Sequence, residues 1–153
     1  LLGAHAWVKA HKDKLPKIAN LFNRDGGPEP PVGISVPQAM YDDFVKISEP
    51  IQKIRPDYPF EVKVREPRKR PTRMGGTDAS VFAIEGVPTL GFTTEDFKGY
   101  DFEYGEIWHT ERDLYTKNIP EYQEHTATVT AIIALGVANL DKQLSREGLY
   151  TEE

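Results

Sequence analysis

Apolar residues repeat every three or four positions in several parts of the chain, a spacing typical of helices with one buried face. The pattern predicts helices over residues 1–14, 36–54 and about 118–146, with a shorter helix over residues 79–86. Pro50 lies inside the second pattern and is expected to end or kink that helix, because proline cannot donate the backbone hydrogen bond.

Short apolar runs between these helices predict strands. Residues 18–22 and 87–92 are two such runs, and residues 60–65 alternate apolar and polar side chains as a half-buried edge strand does. Helices and strands therefore alternate along the chain, which predicts an α/β fold whose sheet is flanked by helices. The length of 153 residues fits one domain or part of a larger one.

Charge and composition narrow the classes of function. The formal net charge of −5 argues against a broad nucleic-acid surface, and the basic residues between 65 and 73 are interpreted as a solvated loop. No apolar run reaches the length of a membrane span. The chain contains no cysteine, so any metal site would consist of histidine and carboxylate ligands.

Three polar residues lie where a predicted strand ends or a helix begins. Asp25 follows the run 18–22, Asp78 precedes the helix 79–86, and His109 follows an Ile-Trp pair. Ligands of open α/β sheets bind at the carboxyl ends of the strands, so we expect Asp25 and His109 to lie close together there. Ordinary interpretations stay open: a turn residue for Asp25, a helix cap for Asp78, and a packed or surface histidine for His109.

Two further features are candidates for chemistry. Aromatic residues are concentrated in the polar loop 93–106, where Tyr104 and its neighbours either line a pocket or anchor the loop. A serine hydrolase in which Asp78 and His109 serve Ser80 is also conceivable. Ser80 lacks the Gly-x-Ser-x-Gly turn that exposes such a nucleophile, which argues against this alternative.

Four motifs occur in an order and spacing that together point to one family. They are LLGAHAW at residues 1–7, GTDASVF at 76–82, GVP at 86–88 and WHTERD at 108–113. This series resembles the C-terminal half of the zinc-dependent exopeptidases that include bacterial aminopeptidases and carboxypeptidase Q. The family's aminopeptidases carry a histidine where this chain has Ala79, and the carboxypeptidase Q branch also lacks it, so this difference concerns the branch.

The resemblance implies a three-layer α/β/α domain with a mainly parallel sheet and two zinc ions at its carboxyl edge. By position, Asp25 and His109 correspond to two of the family's five zinc ligands. Tyr104 would line the substrate pocket, Asp113 would orient the His109 loop or cap a turn, and Asp78 would support the ligands or the fold. The implied reaction is hydrolysis of a peptide or dipeptide by a zinc-activated water.

The resemblance also predicts that residues 1–153 are a single domain that forms only the C-terminal portion of a larger peptidase domain. The family's remaining ligands and its general-base Glu precede the matched region, so no catalytic residue is assigned here and the chain alone is expected to be inactive. The alternative is a non-catalytic peptidase-like interaction domain of the transferrin-receptor ectodomain kind. Exported family members imply a periplasmic or extracellular location, while homo-oligomer formation stays open.

Overall fold

The computed structural model describes residues 1–151, and within this range the chain forms five α-helices and three β-strands. The helices are α1 (Leu2–Ala10), α2 (Tyr41–Ile54), α3 (Asp78–Ile84), α4 (Tyr104–Ile107) and α5 (Pro120–Ala138). The strands are β1 (Pro31–Val36), β2 (Glu61–Val64) and β3 (Phe92–Thr94). Among the described residues, no helix combines the length and apolarity needed to cross a membrane.

The three strands form one sheet in the order β2-β1-β3. Strand β1 pairs in parallel with β2, placing Gly33 opposite Glu61, and antiparallel with β3, placing Ile34 opposite Phe92. The α/β class predicted from the alternation of helices and strands is confirmed. Within the described residues the sheet is mixed, with parallel pairing between β1 and β2 only.

The central strand β1 lies in a stretch that the sequence pattern did not predict to be a strand. Prolines and Gly33 give this stretch the composition of an open loop. In the structure Pro31 is the first residue of the strand, a position where proline is tolerated. A Cβ on Gly33 would collide with the carbonyl oxygen of Glu61, so glycine here permits the close approach of β1 and β2.

The main hydrophobic core lies where α2 and α5 pack against each other and against the sheet. Its buried members include Ile34, Val36, Phe44, Ile51, Val129 and Ile133. His125 of α5 is also fully buried: its Nε2 lies 3.0 Å from the carbonyl oxygen of Pro31, and its ring stacks on Tyr58. Burial lowers the pKa of His125, as expected for a neutral imidazole within a packed core.

A second, smaller core joins α1 to α3. Its buried side chains are Val8, Leu15, Val81, Phe82 and Val87. The rings of Trp7 and Phe82 lie 5.6 Å apart at its margin. This core holds α3 in place, and the first residue of α3 is the candidate site residue Asp78.

Helix α2 continues past Pro50 to Ile54, so this proline does not end the helix. Pro50 is solvent-exposed, whereas its neighbours Ile47 and Ile51 are buried in the main core. A proline inside a helix costs roughly 3 kcal/mol. Burial of the apolar face of α2 against the sheet and α5 offsets this cost.

The runs 18–22 and 87–92 were predicted as strands, yet only residue 92 of the second run belongs to one, β3. The two runs do lie side by side. The amide of Leu21 donates to the carbonyl of Pro88 over 2.9 Å, and the side chain of Asn20 exchanges two hydrogen bonds with the backbone of Leu90. The Asn20 side chain thus takes the place of backbone hydrogen bonds that a strand pair would form here. Pro88 has no backbone N–H and could not have donated such a bond.

Helix α5 ends at Ala138 and does not extend to about residue 146 as the apolar spacing predicted. Leu144 and Leu149 are nevertheless buried in the main core. The chain turns after the helix to bring these two leucines back onto the core, so the same residues are buried in a different conformation.

Candidate functional site

Five of the candidate residues named from the sequence line one cleft of about 860 Å³. The cleft is formed by three loop regions and the beginning of α5. Asp25, Asp78, Tyr104, His109 and Asp113 are all among its lining residues. The structure therefore brings together residues that are far apart in the sequence.

Asp25 lies in a tightly held loop after the run 18–22. The side-chain amide of Asn23 donates to Asp25 Oδ2 over 2.8 Å, which fixes one oxygen of the carboxylate. The guanidinium of Arg24 donates to the backbone carbonyls of Gly27, over 2.9 Å, and of Glu29. Burial lowers the pKa of Arg24, while the charge of Glu29 acts in the opposite direction. These contacts hold the loop with the Asp25 side chain exposed to the cleft.

His109 follows the short helix α4, which is anchored by the buried side chain of Ile107. The backbone of His109 is left-handed, with φ at +57°, a conformation that is uncommon for residues other than glycine. Its ring stacks on the exposed ring of Trp108, with centroids 4.4 Å apart. The imidazole is exposed in the cleft and is therefore accessible to a ligand.

Asp113 closes the polar turn that follows His109. The hydroxyl of Thr110 donates to the carbonyl of Ile107 over 3.0 Å and accepts from the amide of Arg112, while the amide of Asp113 lies 3.3 Å from the carbonyl of Thr110. In the described part of the chain, the Asp113 carboxylate makes no hydrogen bond to His109. The orienting role of Asp113 therefore stays a prediction.

The aromatic loop that precedes His109 serves both purposes left open by the sequence. Phe97 and Tyr100 pack on the ring of the fully buried Tyr122, so they anchor the loop to α5. The hydroxyl of Tyr122 donates to Asp96 over 2.6 Å, and burial, followed by this hydrogen bond, raises the pKa of Tyr122 to about 12. Tyr104 instead lines the cleft.

Tyr104 connects the two loops that carry the candidate ligands. Its hydroxyl lies 3.4 Å from the backbone carbonyl of Asp25. A Cβ on Gly27 would lie 2.6 Å from Phe102 Cζ and 3.3 Å from Tyr104 Cδ2, so glycine lets both rings pack on the Asp25 loop. The role of Tyr104 in binding substrate is untested by these contacts and stays a prediction.

Asp78 is the first residue of α3, and Thr77 occupies the N-cap position without a side-chain capping bond. Asp78 Oδ1 lies 2.7 Å from the backbone nitrogen of Leu1, the residue before α1. Ser80 donates its hydroxyl to the carbonyl of Thr77 over 2.7 Å. Among the described residues Ser80 is not part of the cleft lining, so the structure offers no support for a serine hydrolase.

The chemistry of the donors suits zinc, but their number is small. An imidazole and a carboxylate are preferred zinc ligands, and His109 and Asp25 supply one of each within the cleft. Over residues 1–151, no group of three or more His, Cys, Asp or Glu side chains is arranged to hold a metal ion. The residues present thus fit part of a zinc site.

The structure adds lining residues that the sequence analysis missed. Trp108, Leu114 and Tyr115 form an apolar wall of the cleft, and Tyr115 is 91% exposed. Lys117 and Gln123 contribute polar groups from the turn before α5 and from its first residues. Leu114 and Tyr115, large apolar residues within a polar stretch, were the one signal in the sequence that could have indicated this wall.

Two comparisons with known proteins found a match to this chain. The sequence profile described as Peptidase family M28 matches residues 1–133. The fold is similar to the crystal structure of a peptidase M28 precursor from Shewanella amazonensis SB2B, with a TM-score of 0.66 and 22% sequence identity. That match covers 94% of this chain and 30% of the precursor, so the chain spans less than a third of the precursor's length. No curated protein matches the chain. Because the profile covers most of the sequence, the chain belongs to peptidase family M28.

Proposed function

We propose that this chain supplies Asp25 and His109 as two zinc ligands to the site of an exopeptidase of the aminopeptidase or carboxypeptidase type. The observation that carries the proposal is that both side chains are exposed in one cleft within a chain of peptidase family M28. Bound zinc would supply a Lewis acid that polarises a peptide carbonyl and brings the pKa of water toward neutrality.

The residues of this chain then have distinct tasks. Asn23 holds one oxygen of the Asp25 carboxylate in place, and the stacked ring of Trp108 limits rotation of the His109 imidazole. The apolar wall of Trp108, Leu114 and Tyr115 provides a surface on which the side chain of a peptide substrate can be buried. These features support hydrolysis of a peptide or dipeptide.

Two ligands cannot replace the three that normally hold a catalytic zinc ion. We therefore place the other ligands, and the glutamate that accepts the proton of the attacking water, in a segment preceding Leu1 in a longer protein. In this proposal the isolated chain is inactive. The exposed, retained ligands favour the enzyme over a non-catalytic interaction domain, and no observation on the described residues favours that alternative.

The proposal is tested in the longer protein that contains residues 1–153, with aminoacyl-anilide and dipeptide substrates and controlled zinc. Asp25→Ala and His109→Ala should each lower kcat/KM by more than about a hundredfold. Even the loss of a residue that only hydrogen-bonds to a metal ligand lowers metal affinity or activity by about 10–100-fold. His5→Ala is the matched control, since His5 is exposed on α1 and does not line the cleft.

The control should retain wild-type turnover, and chain 1–153 alone should give none. Wild-type activity in either ligand variant would remove that residue from the site. Turnover by the isolated chain that a chelator abolishes would show that its two ligands suffice.

A further inference from the structure

We propose that Lys117 and Gln123 form a carboxylate-binding subsite within the cleft, which selects peptides whose free C-terminal carboxylate enters it. The inference rests on the proposed peptidase function and names the substrate class of the same site. The subsite lies in the turn before α5 and in the first turn of that helix. Its two residues are neither proposed zinc ligands nor members of the apolar wall.

Lys117 lines the cleft and forms no ion pair among the described residues. Its backbone is fixed in the turn Tyr115–Lys117, where its amide donates to the carbonyl of Leu114 over 2.9 Å. Within residues 1–151, no carboxylate lies within 4.0 Å of its ammonium group, whereas Lys98 pairs with Glu121. A Lys ammonium without a protein partner is available to a carboxylate of the substrate.

Gln123 adds an oriented amide donor to the same cleft. Its Oε1 accepts a hydrogen bond of 2.9 Å from the side-chain amide of Asn118, the residue after Lys117. This contact occupies the oxygen of the Gln123 amide, and in the described residues its nitrogen has no acceptor. Lys117 and Gln123 therefore line one cleft with hydrogen-bond donors that both lack an acceptor.

The other charged groups of the cleft are already engaged or carry the opposite charge. The Arg24 guanidinium donates to two backbone carbonyls of its own loop. Asp25, Asp78 and Asp113 carry negative charges and therefore do not attract a carboxylate. Glu103 and Glu106 share a smaller neighbouring cavity with Lys117, yet neither forms an ion pair with it in the described part of the chain. Lys117 is therefore the cation best placed to bind a carboxylate ligand.

The test compares two probes that differ only in the carboxylate: N-acetyl-leucine and N-acetyl-leucinamide. Each is titrated into the isotope-labelled chain 1–153, without metal, and binding is followed by NMR chemical shifts. We expect the acid to bind about fivefold more tightly than the amide, the upper range for a solvent-accessible ion pair. Lys117→Met should reduce this preference to less than about twofold, and Gln123→Ala should weaken it partially.

Lys53→Met is the matched control, because Lys53 is exposed in the last turn of α2 and does not line the cleft. It should retain the preference for the acid. Equal affinity for both probes, no binding of either, or an unchanged preference in Lys117→Met would each overturn the subsite. Binding is measured without metal or turnover. The result therefore does not depend on whether the protein hydrolyses peptides, and the two proposals can fail independently.

Discussion

His109 combines an exposed imidazole with a backbone conformation that L-residues avoid. Its φ of +57° places the Cβ close to the following carbonyl oxygen, at a cost of roughly 1–2 kcal/mol. The buried side chain of Ile107 and the stacked ring of Trp108 hold the turn in this conformation. Such strain is concentrated at functional positions, which agrees with the proposed role of the residue.

Two substitutions at this position distinguish the effect of backbone strain from the effect of losing the imidazole. His109→Gly and His109→Ala both remove the imidazole, but only glycine adopts the left-handed conformation without a steric penalty. We expect the free energy of unfolding, measured with urea on chain 1–153, to be about 0.5–1 kcal/mol higher for the glycine variant.

An exposed helical position supplies the control for His109. Ala127 lies on the surface of α5, where glycine should be the less stable residue by about 1 kcal/mol. If His109→Ala proved as stable as His109→Gly, the backbone at this position would not be strained.

The packing of α2 on α5 shows how one small residue sets the distance between two elements. A Cβ at position 136 would collide with Ile47 Cγ2 and lie 2.9 Å from its Cγ1. Glycine within a helix costs up to about 1 kcal/mol relative to alanine. The close contact between the helices, within the main core, compensates for this local cost.

Gly136→Ala should therefore destabilise the chain by about 1–3 kcal/mol, although alanine is the better helix former. Gly3 of α1 is the matched control, because a Cβ there would have no neighbour within 4 Å, and Gly3→Ala should be neutral or stabilising. Thermal unfolding of both variants provides the measurement. Combining Gly136→Ala with Ile47→Ala should relieve the collision, and simple additivity of the two costs would contradict it.

At the scale of the whole molecule, Arg146 ties the C-terminal segment to the smaller core. Its Nη1 donates to the carbonyl of Gly86 over 3.2 Å. Its Nη2 donates to the carbonyls of Leu15, Pro16 and Ile18. Because Leu144 and Leu149 of the same segment are buried in the main core, the segment joins the two cores.

Replacing Arg146 by methionine keeps an unbranched apolar stem and removes all of these donors. We expect Arg146→Met to lower the free energy of unfolding by about 2–3 kcal/mol, since several carbonyls lose a charged partner. Lys142→Met, at an exposed position of the same segment, should change it by less than about 0.5 kcal/mol. Equal urea midpoints for the two variants would show that Arg146 does not join the cores.

The features that depend on local pattern could be predicted from the amino-acid sequence. The helical spacing predicted α1, α2, α3 and α5, and the alternation of residues 60–65 predicted β2. The family resemblance predicted that Asp25 and His109 belong to one site. Both residues line one cleft, while their close approach and their binding of zinc stay predictions. Periodicity suffices for the four helices and for β2, because each is set by near neighbours in the chain.

The features that depend on distant partners became apparent from the folded structure alone. Strand β1 exists because Gly33 accepts the close approach of Glu61, and α2 continues past Pro50 because its other face is buried. The turn after α5 likewise follows from the burial of Leu144. Lys117 lines the cleft together with residues of α4 and α5. Such contacts join residues far apart in sequence, and no local pattern contains them.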